Sequence, residues 1–224
     1  PRVIIAGIVG AALAVAGALM QALTRNPMAD SGLMGLNSGA IFMIALSYGI
    51  LSSVSYTTML ALAFIGATIS ALSVYGISQL VPGGNHPMKL ILAGATLTSL
   101  LSALSQGIAI TMNVTQNISF WTMGSVAGSQ WEHVITAVPI IGIAILSAIA
   151  LSDQVSIISM GDEMAKGLGI KLNRVRFFLT IIVITLAGVS VTLSGMITFV
   201  GIIIPHFSRH LVGYNYKFII PLSA

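Results

Sequence analysis

The sequence predicts an all-α fold, a polytopic bundle of transmembrane helices, and two observations carry the prediction. Of its 224 residues, 56% are hydrophobic and only 6% are charged, whereas about 25% are charged in a typical soluble domain. No Asp, Glu, Lys or Arg occurs between Ser31 and Lys89. That run is more than twice the ~20 residues that a helix needs to cross a bilayer. We therefore predict a membrane protein with about six or seven spans.

The predicted spans follow one another along the chain, separated by short polar connections. They fall at about residues 3–23, 33–51, 58–81, 90–112, 134–151 and 177–200, and a seventh begins near Phe218. Each complete segment is long enough to cross the hydrocarbon layer as a helix, which satisfies its own backbone polar groups. Polar residues at 51–56 divide the longest charge-free run into the second and third spans.

Basic residues occur in alternate connections, and this pattern predicts the orientation of the spans. The connections that contain Arg25, Lys89 and Lys166 carry basic side chains, whereas residues 52–57 and 113–133 contain no Lys or Arg. Cytoplasmic loops are enriched in Lys and Arg. The connections that contain Arg25, Lys89 and Lys166 are therefore expected in the cytoplasm, and residues 52–57 and 113–133 are expected outside.

One basic cluster does not fit this alternation. Arg209, His210 and Lys217 follow the sixth span, on the side that the charge pattern assigns to the exterior. Two arrangements would account for them: the cluster is buried in protein on that side, or residues 201–205 re-enter the membrane. We expect a short helix that packs within the bundle.

Small residues in the first span predict a close helix contact. Ala6, Gly10, Ala14 and Ala18 recur every four residues, with Gly7 and Gly17 beside them. This spacing lets two helix backbones approach closely inside a membrane. We expect the first span to lie in the bundle interior or at a subunit contact.

A proline-centred motif separates the first two spans. Asn26-Pro27 cannot continue a helix, because the proline ring disfavours helical backbone in the preceding residue. The following segment, residues 32–40, is rich in Gly and polar groups. Such backbone is tolerated at membrane depth only inside protein or beside water.

Residues 21–40, QALTRNPMADSGLMGLNSGA, closely resemble the signature of the membrane-spanning permease subunits of bacterial ABC importers for iron-siderophore complexes, haem and cobalamin. Residues 120–125, 161–170 and 195–206 fit the same family in the same order. By this resemblance, residues 1–224 form a single transmembrane domain that lacks the first and the last two of the family's ten helices. The signature positions are Gln21, Arg25, Asn26, Pro27, Gly35, Asn37, Gly39, Gly201, Pro205 and His206.

The resemblance also implies partners. Permeases of this family work in the bacterial cytoplasmic membrane as homo- or heterodimers, with two cytoplasmic ATPases and an extracytoplasmic substrate-binding protein. ATP and Mg²⁺ bind to the ATPases, and no cofactor or metal is expected on this chain. The bound chelate is left open among siderophore complexes, haem and cobalamin.

The longest predicted cytoplasmic connection contains a candidate coupling helix. Asp162 and Glu163 suit the start of a short helix, whose N-terminal dipole favours acidic groups, and Gly167 and Gly169 suit its end. In the resembling family this segment docks on the ATPase, which implicates Gly161, Asp162, Glu163, Ala165, Gly167, Leu168 and Gly169. A plain solvated linker is the alternative.

Arg2 is a candidate docking residue for the binding protein. It precedes the first span on the predicted outer side, where the resembling family has an arginine that pairs with an acidic residue of its partner. The alternative is an arginine that anchors the helix end at the lipid headgroups.

No catalytic chemistry is predicted. A nucleotide-binding G-x-x-x-x-G-K-[ST] motif is absent, so energy for transport must come from a separate ATPase. His206 and His210 share a helix face, but no further ligand completes a metal site, and we expect His206 to be buried and hydrogen-bonded. An intramembrane enzyme is disfavoured for the same reason. An ion-coupled secondary transporter would need an ionisable group near the bilayer midplane, and the predicted spans contain none.

Overall fold

The computed structural model describes residues 1–51, 55–80 and 87–224, and within these ranges the chain is helical and forms no strand. The helices are α1 (Arg2–Thr24), α2 (Leu36–Ile50), α3 (Tyr56–Leu80), α4 (Pro87–Thr111), α5 (Thr115–Thr122), α6 (Trp131–Ala150), α7 (Ser152–Met160), α8 (Asp162–Gly167), α9 (Leu172–Ser194), α10 (Val200–Val212) and α11 (Tyr216–Ser223). The all-α prediction is confirmed. Residues 52–54 and 81–86, which belong mainly to two predicted connections, lie outside the described residues.

The long helices agree with a protein that crosses the membrane several times. Helices α1, α3, α4, α6 and α9 are long and apolar enough to span a bilayer, and α2 is an apolar helix of 15 residues. Helix α2 begins three residues later than predicted, because Gly35 has a left-handed backbone with φ +70°. A Cβ atom there would also lie 2.7 Å from Ser70 Oγ, so this turn requires glycine.

The predicted end of the sixth span is wrong. Helix α9 ends at Ser194 rather than near residue 200, because Gly195 has φ +70° and closes the helix. A second left-handed residue, Phe199 with φ +72°, precedes α10. Residues 195–199 therefore belong to a turn between two helices, not to the span.

The chain forms two compact units. The first unit contains Pro1–Ser31, Gln130–Ala187 and Thr198–Ala224, and the second contains Gly32–Ser129 and Gly188–Ile197. In the second unit α2 packs against both α3 and α4. Gly39 and Gly66 face each other there so closely that a Cβ on either would lie 2.3 Å from the carbonyl oxygen of the other.

Helix α1 is the centre of the first unit. It contacts α6, α7, α10 and α11, and every residue from Ala12 to Thr24 is buried. The closest approach is between Gly17 and Gly201 of α10, where a Cβ on Gly17 would lie 2.0 Å from the Gly201 carbonyl oxygen. The interior position predicted for the first span is confirmed.

The small-residue pattern locates this contact only in part. Ala14 and Ala18 are buried, as expected, but Ala6 is exposed and a Cβ on Gly10 would meet no atom within 4 Å. The decisive small residue is Gly17, one position before Ala18. The glycine of the four-residue repeat is therefore not the one in contact.

Helix α10 shows where Arg209 and His210 of the basic cluster after the sixth predicted span lie. Gly201 at its start lies beside Leu13 and Gly17, and Arg209 near its end bonds to Gln21. Helix α10 therefore runs along α1 from its middle towards its C-terminal end. Its 13 residues measure about 20 Å, too short to cross the bilayer.

The predicted short packed helix is thus confirmed, and of the two arrangements open for the cluster these contacts favour re-entry at residues 201–205 over burial on the outer side. Arg209 and His210 lie at the same end of the first unit as Arg25, with which they line one cavity. Arg25 also bonds to Asp162, so the connections after the first and fifth predicted spans lie on one side, as the charge pattern predicts. A half-length helix returns the chain to that side.

Candidate functional site

Helix α8 forms at the position where the sequence predicts a coupling helix. Gly161, with φ +134°, precedes it, and Asp162 and Glu163 occupy its first turn. Gly169 ends the segment in a left-handed conformation with φ +76°. Gly167 is the last helical residue and has no positive φ. The turn therefore depends on Gly169, and Gly167 contributes only the helix end.

The sequence motif after α1 positions an arginine towards this helix. Arg25 is the C-terminal cap of α1 and has a left-handed backbone with φ 51° and ψ 33°. The side-chain oxygen of Asn26 accepts a hydrogen bond from the backbone N–H of Met28 at 3.0 Å, which fixes the turn. Pro27 prevents the helix from continuing. Arg25 consequently projects from the end of α1 to Asp162.

Asp162 joins three helices through two arginines. Its Oδ1 atom accepts hydrogen bonds from Arg25 and from Arg176, the latter at 2.7 Å. Arg176, in the second turn of α9, is buried with 6% of its surface exposed. The end of α1, the start of α8 and the start of α9 therefore meet at one carboxylate. We call Arg25, Asp162 and Arg176 the anchor cluster.

The anchor cluster carries more positive than negative charge, since two guanidinium groups share one carboxylate. Burial lowers the pKa of the Arg25 guanidinium, and the neighbouring charge of Arg176 lowers this pKa further. Arginine nonetheless remains protonated in proteins at neutral pH. Asp162 is therefore a counter-charge for a buried cation, and its removal would take away the carboxylate to which Arg176 donates here.

Exposed apolar side chains lie on and beside α8, away from the anchor cluster. Ala165 is fully buried against the protein, whereas Met164 and Leu168 are exposed by 51% and 63% of their surface. Met160, at the end of α7, is exposed by 68%. Exposed apolar side chains outside the spans are candidates for an interaction surface. We call Met160, Met164 and Leu168 the docking face.

A second polar cluster joins α1, α10 and α11. The Gln21 amide nitrogen donates to the Gly201 carbonyl oxygen at 3.1 Å, and its oxygen accepts a hydrogen bond from Arg209. Arg209 also donates to Tyr216 Oη at 3.4 Å. Gln21 is 3% exposed. A satisfied buried network of this kind specifies a single helix arrangement.

The structure separates the remaining signature residues. Gly35 and Gly39 make close contacts in the second unit, and Asn37 is half-buried in the first turn of α2. Pro205 is buried on the face of α10 that contains Gly201. These residues shape helix contacts and are not brought together in one site.

The prediction that His206 is buried is wrong. His206 is exposed, because α10 turns Gly201, Pro205 and Ser208 towards its neighbours instead. Its ring lies 5.5 Å from that of His210, centroid to centroid. Among the described residues, no group of three His, Cys, Asp or Glu side chains is placed to hold a metal ion.

Two residues of these clusters were not singled out from the sequence. Arg176 lies with Arg174 in the basic connection that also contains Lys166, although of the two arginines only Arg176 is buried. Tyr216 was not considered. The sequence places Arg176 among apolar residues at the start of a helix, but Arg174 has the same surroundings, so the sequence does not distinguish the buried arginine from the exposed one.

Known proteins resemble this chain over its entire length. The FecCD transport family matches residues 1–224. The chain is 40% identical over 224 residues to the iron(3+)-hydroxamate import system permease protein of Bacillus subtilis (strain 168), covering 100% of this chain and 58% of the relative. It is 41% identical over 224 residues to the Fe(3+)-citrate import system permease protein of the same organism, covering 100% of this chain and 66% of the relative. The chain thus spans about two thirds of these relatives or less.

The fold is also found among solved structures. An inward-facing structure assigned to the metal-chelate type of ABC transporter superposes with a TM-score of 0.90 and 30% sequence identity. The superposition covers 100% of this chain and 71% of the other. The helical arrangement described above is therefore shared with a solved transporter.

Proposed function

The chain belongs to the FecCD transport family, and from this premise we propose that it is the permease subunit of a binding-protein-dependent ABC importer. It moves an iron-siderophore or similar metal chelate into the cytoplasm, with energy from ATP hydrolysed by a separate subunit. The proposal is supported by relatives whose names specify import of iron(3+)-hydroxamate and Fe(3+)-citrate. The permease performs no covalent chemistry of its own.

The proposal includes an assembly in the bacterial cytoplasmic membrane. A second permease subunit, identical or different, completes the translocation path, and two ATPases bind on the cytoplasmic side. An extracytoplasmic binding protein delivers the chelate. ATP and Mg²⁺ are held by the ATPases. Relatives described as import-system permeases support this composition.

The observation that carries the proposal is the arrangement of α8. Its docking face is exposed, and its first residue is fixed by the anchor cluster to α1 and α9. A helix of six residues is too short to be stable alone, so it moves with the elements that hold it. A displacement of the docked ATPase is thereby transmitted to the ends of two transmembrane helices.

Uptake by reconstituted vesicles tests the proposal. The full-length permease, its ATPase and its binding protein are placed in proteoliposomes, and a radiolabelled ferric siderophore is supplied with the binding protein. ATP-dependent accumulation is expected. Accumulation that requires an ion gradient and no ATP would instead identify an ion-coupled secondary transporter and overturn the proposal.

Charges on the docking face should disrupt coupling. We expect Met164→Asp combined with Leu168→Asp to lower both ATPase co-purification and uptake by about tenfold or more, because two desolvated apolar contacts are lost. Met123→Asp is the matched control, since Met123 is 77% exposed but lies in a connection predicted outside the cell. Equal co-purification for the two variants would refute the docking assignment.

Charge reversal at Arg2 tests the binding-protein contact. Arg2 is exposed at the start of α1, and exterior charge pairs act mainly on association rate and its salt dependence. We expect Arg2→Glu to slow capture of the loaded binding protein, and a Glu→Arg change in the partner to restore it. Arg174→Glu, exposed at the start of α9, is the control. Identical rates across a salt series would leave only a headgroup-anchoring role for Arg2.

A further inference from the structure

A cationic cavity lies beside the second polar cluster in the first unit. Its volume is ≈ 490 Å³, within the range of small-molecule sites. The cavity wall contains no Asp or Glu among the described residues. Its polar lining consists of Arg209, His206, His210, Tyr214, Tyr216, Gln21, Ser159 and Arg25. The charge of Arg25 is already paired with Asp162, so Arg209 supplies the uncompensated positive charge among the described lining residues. The lining therefore favours an anion.

Several donors of this lining are not used within the described part of the chain. Both hydrogen bonds of Arg209 use Nη2, although a guanidinium has five N–H donors. His206, His210 and Tyr214 are exposed, and each carries an N–H or O–H group that can donate. Arg209 is meanwhile held in place by Gln21, so the charge is preorganised at the cavity wall.

The position of the cavity indicates the kind of anion. Gln21 and Arg25 place it at the C-terminal end of α1, where the apolar span stops and we expect lipid headgroups. The charge pattern assigns this end to the cytoplasm, and the cytoplasmic leaflet is rich in anionic lipids. Beside the histidines on α10, Phe207 and Leu211 are exposed by 66% and 71% of their surface, as suits contact with acyl chains.

We propose that this cavity binds a phosphate group, supplied by an anionic phospholipid headgroup or by a free phosphate. Arg209 provides the fixed charge, and the exposed imidazoles of His206 and His210 donate further hydrogen bonds to the phosphate oxygens. Guanidinium groups suit phosphate because their planar donors match its oxygens in pairs. A phosphate held here would bridge the end of α1 and the end of α10.

Binding is measured on the full-length permease dimer in detergent by native mass spectrometry. Phosphatidylglycerol, phosphatidylcholine and inorganic phosphate are added in separate titrations. We expect wild-type protein to retain phosphatidylglycerol in preference to phosphatidylcholine. Release of the bound lipid by low inorganic phosphate would identify free phosphate as the ligand source, whereas retention would identify the lipid headgroup.

Two variants decide whether the cavity is responsible. His206→Ala with His210→Ala should weaken retention about tenfold, because two donors to a charged group are lost. Tyr214→Glu, at a position 84% exposed, should weaken it independently by placing a negative charge at the cavity. Arg174→Ala is the control for general loss of basic charge. Retention that is unchanged in both cavity variants, or reduced equally in the control, would overturn the proposal.

Discussion

Replacing Gly17 with Ala is expected to cause the largest loss of folded protein of any single methyl addition in α1. The new Cβ atom would lie 2.0 Å from the carbonyl oxygen of Gly201 and 2.5 Å from its carbonyl carbon and Cα atom. All three are backbone atoms, so no side-chain rotation relieves the overlap. Helices α1 and α10 would have to move apart.

Their separation would also disrupt the neighbouring polar contacts. Gln21 lies one turn beyond Gly17 and donates to the same Gly201 carbonyl oxygen at 3.1 Å. Overpacking costs about 1–3 kcal/mol, and loss of a hydrogen bond from a buried amide adds about 1–3 kcal/mol. We therefore expect a clear drop in melting temperature and in the yield of monodisperse protein.

Matched glycine variants separate this contact from a general effect of alanine. Gly201→Ala should be milder, because its Cβ would lie 3.0 Å from the Leu13 carbonyl oxygen. Gly142→Ala in α6 should be neutral, since a Cβ there meets no atom within 4 Å. Thermal unfolding of the three detergent-purified proteins provides the comparison. Similar melting temperatures for Gly17→Ala and Gly142→Ala would contradict the packing account.

The α1–α10 contact also illustrates what a single sequence could and could not predict. Length, hydropathy and small-residue spacing predict the positions of the long apolar helices, apart from the end of α9, and the burial of α1. The spacing alone does not identify which small residue meets a partner backbone, because that depends on a helix 180 residues away, as the Gln21–Gly201 bond illustrates. The sequence therefore predicts a small-residue face that includes Gly17, but it does not single out Gly17 over Gly10 as the contact residue.

The error at the end of the sixth span has a similar cause. Gly195 offered a local signal for a helix end, but Phe199 adopts φ +72°, which an aromatic residue rarely does. Because the sequence does not reveal this turn at Phe199, the apolar residues 177–200 are predicted as one continuous helix. This is also why Arg209 and His210 do not fit the charge alternation, which assumes that each apolar stretch crosses the membrane fully.

The candidate coupling segment was easier to predict, because its signals are local. Acidic residues in the first turn and a terminal glycine define α8 within ten residues of sequence. Its anchoring was not predictable in the same way. Arg25 and Asp162 are 137 residues apart, and nothing local distinguishes Arg176, which is buried, from Arg174, which is exposed.

Neutralising Asp162 should uncouple ATP hydrolysis from transport. Asp162→Asn keeps the size of the side chain but removes the negative charge that both Arg25 and Arg176 share. Each hydrogen bond to a charged group contributes about 1.5–3 kcal/mol to the free energy of unfolding when it is shielded from water. Because the Asp162 side chain is 34% exposed, we expect the lower part of that range. The docking face is unchanged, so the ATPase should still bind.

The expected result is therefore a permease that assembles with its ATPase and supports ATP hydrolysis, but imports the chelate at about one tenth of the normal rate or less. Glu163→Gln is the matched control: it neutralises the adjacent, exposed carboxylate on the same helix turn and should leave uptake near normal. Combining Asp162→Asn with Arg25→Gln should cost less than the sum of the two single changes, since both remove the same contact. Uptake that falls equally in Asp162→Asn and Glu163→Gln would show that α8 requires only its overall charge, and that the anchor cluster does not transmit movement to α1 and α9.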